Sequence, residues 1–124
     1  MLNITDRINE IVRRSAVKDI LVHLQSLHTT ASILINEWDE ALLHDAKVFF
    51  EQVVTRDQYY RHNDPDYSDC ERKNADWHIR GMLLGQTLCV QVRNAFVRLG
   101  TWQSILAEFN GGRSRSRAVQ VSGV

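Results

Sequence analysis

Between Ser68 and Gly100 apolar residues recur at Ala75, Ile79, Met82, Cys89, Val92 and Phe96, and Leu84, Leu88, Ala95 and Leu99 flank that stripe. Steps of three and four mark one face of an α-helix. Ser68 and Glu71 have the spacing of a capping box ahead of it. Gly100 supplies a residue that tolerates the left-handed end of a helix. A helix apolar over so much of its girth needs cover on more than one side, so the pattern predicts the central helix of a bundle.

Upstream, Ile4, Ile8, Ile11 and Val12 form a short apolar face that Asn3 or Thr5 caps, predicting a first helix to about Arg14. Val17, Ile20, Leu21, Leu24 and Leu27 continue at helical spacing, and Thr29-Thr30 breaks the run. Leu34, Trp38, Leu42, Phe49 and Val53 predict a long helix over about 31–61, acidic on its other side through Glu37, Asp39, Glu40, Asp45 and Glu51. Residues 62–67 (HNDPDY) carry turn chemistry. Thr101 caps a last short helix to Phe109, with Trp102, Ile105, Leu106 and Phe109 inward, and Asn110-Gly111-Gly112 stops it. The expected fold is all-α: a single bundle of four to five helices over residues 1–110, with two long helices (31–61 and 68–99) packed antiparallel. Residues 111–124 read as a flexible basic Arg/Ser tail.

A chain of 124 residues, 44% hydrophobic and 24% charged, has the composition of one soluble domain. Apolar runs are too short to span a bilayer, and the first ten residues do not read as a signal peptide. Two cysteines, Cys70 and Cys89, in no metal or disulfide pattern point to the cytoplasm. The zero net charge conceals a division. Residues 1–76 hold nine basic and fourteen acidic side chains, whereas 77–124 hold six arginines and only Glu108. Acidic helices packing beside the basic half, within one chain or between copies, account for this layout.

Few residues carry recognisable chemistry. Glu40 and His44 share a helical face, but paired carboxylates with Glu-x-x-His are absent, as is His-Glu-x-x-His. Counting a calcium loop from Asp64 places Asp69 where glycine is needed and Ala75 where glutamate is needed. No metal or cofactor is expected. Tyr59, Tyr60, Arg61 and Tyr67 have the composition of a protein-binding hot spot. Arg80, Arg93 and Arg98, with Arg113, Arg115 and Arg117 of the tail, offer charge to an acidic protein or nucleic acid.

Arg72 and His78, with the polar Lys73-Asn74 between them, stand at an Arg-x5-His spacing that Arg56 and His62 repeat. The spacing resembles the signature of HEPN-type ribonucleases. That resemblance implies a small helical bundle in which Arg72 and His78 of two protomers cut RNA without metal, Arg72 holding phosphate charge and His78 moving the proton. With no other catalytic constellation present, the leading expectation is a small non-enzymatic interaction protein: an adaptor, inhibitor or assembly subunit that binds a partner, or a second copy, through a helical surface. The ribonuclease is the alternative. A nucleic-acid-binding accessory protein is a third reading.

Overall fold

Alternation with a period of two, not helical spacing, governs most of the chain's core. In Ile20–Ser26 the buried positions are Val22 and Leu24, with Leu21, His23 and Gln25 exposed between and around them. In Thr87–Arg93 Val90 and Val92 are buried, while Cys89, Gln91 and Arg93 face out. Both segments are strands, rich in branched residues that suit a half-buried pleat.

The computed structural model describes residues 1–109 and 119–123. Its elements run β1 (Leu2–Asn3), α1 (Thr5–Arg14), β2 (Ile20–Ser26), β3 (Ala31–Asn36), α2 (Glu40–Val53), a 3-10 turn (Arg61–Asn63), α3 (Ala75–Leu84), β4 (Thr87–Arg93), β5 (Phe96–Val97), β6 (Ser104–Phe109) and β7 (Val119–Gly123). One antiparallel sheet has the order β1-β6-β3 and the other β5-β4-β2-β7. The registers include Leu34 opposite Leu106 and His23 opposite Cys89. Ile8 and Val12 of α1 join Val22, Leu24, Ile33, Val90, Val92 and Ile105 in one core that both sheets share. Among the described residues no helix is long and apolar enough to cross a membrane.

The all-α bundle is therefore overturned, and with it the two long antiparallel helices. The first expected helix forms, as α1. The second is strand β2. The 31–61 helix divides into β3, a link and α2, and the 68–99 helix into a loop, α3, β4 and β5. The 101–109 helix is a turn followed by β6. Gly85 makes one of these breaks: its φ of +85° suits a residue without Cβ and ends α3. The Gly85 carbonyl accepts from Ile33 N–H at 3.2 Å and the Gln86 carbonyl from Ser26 N–H at 2.8 Å, so the turn is stitched to β3 and β2. Residues 119–123 of the expected tail form β7, paired with β2. Arg113, Arg115, Arg117 and the Phe109 side chain lie outside the described residues.

α2 packs weakly: none of its fourteen residues is buried, and Phe49 and Val53 are each 55% exposed. Asp39 caps it, its carboxylate accepting from Leu42 N–H at 2.8 Å.

Candidate functional site

The stretch from Thr55 to Asn74 has little regular structure, and its own polar groups shape it. Tyr60 donates its hydroxyl hydrogen bond to the Thr55 carbonyl. Tyr59 donates to Asp64 at 2.6 Å, and the Arg61 guanidinium lies 5.1 Å from the Tyr67 ring centre. The Tyr59 hydroxyl, followed by the Asp66 N–H, holds the Asp64 carboxyl below the usual range. The same bond, with a little burial and the Asp64 charge, raises the Tyr59 phenol.

This loop returns to α3 through one bond. Asn63, closing the 3-10 turn, accepts from the Ala75 backbone N–H at 3.1 Å. Ala75 is buried, and its N–H is one of the donors a helix leaves unmet at its first turn. Asn63 therefore caps a helix twelve residues downstream. Asn74, at the helix start, has no capping side-chain bond of its own, and its Oδ1 accepts instead from the Cys70 thiol at 3.4 Å. Lys73, just before it, sits at φ +48°, the conformation that turns the chain into the helix.

The tether sets His62 beside His78. Their ring centres are 4.8 Å apart, edge to face at 83°. His62 is exposed and His78 half-buried. Burial, and then the charge His62 can carry, lower the His78 pKa below its ordinary 6.5. At neutral pH His78 is an uncharged imidazole with a free lone pair. One turn on, Gly81 brings α3 close to the β2–β3 connection: a Cβ there would stand 3.1 Å from the Thr29 carbonyl oxygen.

The structure places the residues singled out by sequence at separate addresses. His78 is in the pair. Arg72 is exposed in the preceding loop, and no hydrogen bond or ion pair joins it to His78 among the described residues. The helical frame behind the ribonuclease resemblance is absent. Tyr59, Tyr60, Arg61 and Tyr67 do cluster, bonded mainly to their own loop. Arg80 points inward, and Arg93 and Arg98 are exposed at the β4–β5 hairpin. Sequence reasoning missed His62 and Asn63 as site residues, because a cap twelve residues away fits no local motif. The repeated Arg-x5-His spacing was the one signal that touched both histidines. Among the described residues no group of three or more His, Cys, Asp or Glu side chains is placed to hold a metal ion.

The sequence profile of the family described as "UPF0047 protein YjbQ-like" matches residues 1–124. A UPF0047 protein of Methanothermobacter thermautotrophicus is 37% identical over 124 residues, covering 99% of this chain and 82% of that protein. A UPF0047 protein of Archaeoglobus fulgidus is 37% identical over 116 residues, 93% of this chain and 85% of that protein. Among solved structures, a YbjQ-like protein of Sulfolobus solfataricus superposes with a TM-score of 0.84 at 28% identity, over 97% of this chain and 83% of that one. One from Clostridium acetobutylicum gives 0.82 at 30% identity, over 99% and 89%. Profile and relatives agree along nearly the whole length: the chain belongs to the YjbQ-like UPF0047 family.

Proposed function

We propose that the chain carries out proton-transfer chemistry on a small substrate at the His62–His78 face, with His78 as general base and His62 as its acid partner. The observation that carries this reading is the pair itself: two imidazoles, one exposed and one half-buried, with ring centres 4.8 Å apart and held beside a helix cap. A neutral base beside a second ring that can hold the proton is the arrangement general acid–base catalysis requires, and such catalysis contributes roughly 10²–10⁴-fold to a rate. The test is a turnover screen of hydroxylated and phosphorylated small molecules against the protein and its His78→Ala and His62→Ala variants. The reading requires a turned-over substrate whose kcat/KM falls about 100-fold or more in His78→Ala, with the circular dichroism of the fold retained. A substrate processed equally well by both variants refutes it.

A second reading, the interaction protein, draws support from α2. Leu42, Val48, Phe49 and Val53 are between 36% and 55% exposed on it, and Trp38 just ahead is 47% exposed. A second copy or another protein covering that face would remove about 25 cal/mol of unfavourable hydration per Å² of apolar surface. Sedimentation of the wild type against Phe49→Glu tests it, a change in oligomeric state being the required result. The compartment we assign is the cytoplasm, a placement supported by the free thiols of Cys70 and Cys89.

A further inference from the structure

β3 and β6 send Ile33 and Ile105 into the core, and Leu34 and Leu106, opposite each other in register, to the other side of their sheet. α2 lies over that outer side without closing on it. A groove of about 420 Å³ is left, with Leu34 and Leu106 as its floor and Leu42, Ala46 and Phe49 of α2 as its wall. Its rim is acidic: Glu37 and Asp45 line it, and both are exposed. The Met1 amine, at one end, is already held 3.1 Å from Glu108.

The other sheet carries a projection of the opposite character. Phe96 stands in the β4–β5 hairpin, directly across from Arg93, and is 49% exposed. The Arg13 guanidinium of α1 lies 5.6 Å from its ring centre, and Arg93 and Arg98 are exposed beside it. Asp19 is the neighbouring acid, its carboxylate accepting from the Asn94 N–H at 3.3 Å. Three arginines leave this tip basic. An exposed aromatic ring among arginines is the composition of an interface anchor. Phe96 does not line the groove of its own chain, so the two features meet only between copies. The groove is apolar, wider than one aromatic side chain and rimmed by the complementary charge.

We propose that copies of this chain assemble head to tail, with the Phe96 ring of one copy seated in the groove beside α2 of the next. Arg93 and Arg98 then face the Glu37 and Asp45 rim, and the exposed Leu42 and Phe49 are covered. Knob and groove are different surfaces, so the contact is heterologous, and its repetition closes a ring when the rotation allows. The inference rests on the second-copy form of the interaction reading and is independent of the proton-transfer reading.

The experiment is analytical sedimentation of the whole protein, with circular dichroism and melting temperature checking the fold of each variant. The wild type should be an oligomer at high micromolar concentration. Phe96→Glu removes the knob and keeps the groove, whereas Ala46→Trp fills the groove and keeps the knob. Each should weaken self-association at least about tenfold. Mixed in equal amounts, the two variants hold one complete contact between them and should form a dimer that neither forms alone. Phe49→Glu, on the exposed wall, replaces Ala46→Trp in the mixture if the tryptophan variant does not fold. A monomeric wild type overturns the proposal together with the second-copy reading. Assembly lost in Phe49→Glu but kept in Phe96→Glu overturns the proposal alone, as does failure of the mixed variants to pair.

Discussion

Asn63→Ala tests whether one side chain joins fold to site. The substitution removes the acceptor for the Ala75 N–H, and Ala75 is 3% exposed, so water does not readily replace it. Losing a helix cap costs about 1 kcal/mol, and leaving a buried donor unmet about 1–3 kcal/mol. The two describe the same bond, so the expected loss is about 1–3 kcal/mol, not their sum. Against a total stability of about 5–15 kcal/mol this is a large fraction. Urea unfolding followed by circular dichroism should show a lower midpoint with an unchanged slope. The local consequence matters more. Without the cap, His62 is no longer held against His78, and that part of the downward push on the His78 pKa is released. NMR titration should therefore find His78 titrating at higher pH in Asn63→Ala than in the wild type. Asn63→Asp keeps an acceptor oxygen at a helix N-terminus, which favours negative charge, and should preserve both stability and titration. An Asn63→Ala protein losing less than about 0.5 kcal/mol, with His78 titrating as before, would show that the bond holds nothing together.

Other consequences follow from the same structure. The His78 pKa lies below 6.5 in the folded protein, so the unfolded chain binds more protons there; stability should rise with pH through the window below 6.5, and His78→Gln should flatten that rise in acid-unfolding curves. Asn94 and Ala95 both have positive φ, 53° and 63°, in the two-residue β4–β5 hairpin, a turn that prefers Asn-Gly. Relieving a left-handed alanine gains about 1–2 kcal/mol, and the extra freedom of glycine in the unfolded chain removes about 0.4–1 kcal/mol of it, so Ala95→Gly should raise the melting temperature. Gly81→Val should do the reverse, by about 1–3 kcal/mol, because its Cβ meets the Thr29 carbonyl oxygen at 3.1 Å. Leu24 is fully buried between the sheets, and Leu24→Ala should cost about 2–5 kcal/mol in equilibrium unfolding.

The sequence by itself determined α1, whose Ile8 and Val12 are buried at helical spacing, and the loop around Asp64, Pro65 and Asp66. It also excluded any membrane-length apolar run. It did not determine that Leu88 and Val92, or Ile20 and Leu24, belong to strands. Residues four apart share a face in a helix and in a strand alike, so these positions fit both periods. The discriminating signal was the polar residue between each buried pair: His23 between Val22 and Leu24, Gln91 between Val90 and Val92. Pairing settled the ambiguity: β2 and β4 join side by side in one sheet through residues some seventy positions apart, and only then do their inner residues pack against the other sheet and α1. The site has the same character. No local rule joins His62 to His78. The Asn63–Ala75 bond does so once α3 has packed against β3, because a side-chain acceptor is matched to a buried backbone donor only after the tertiary fold has removed water from around it.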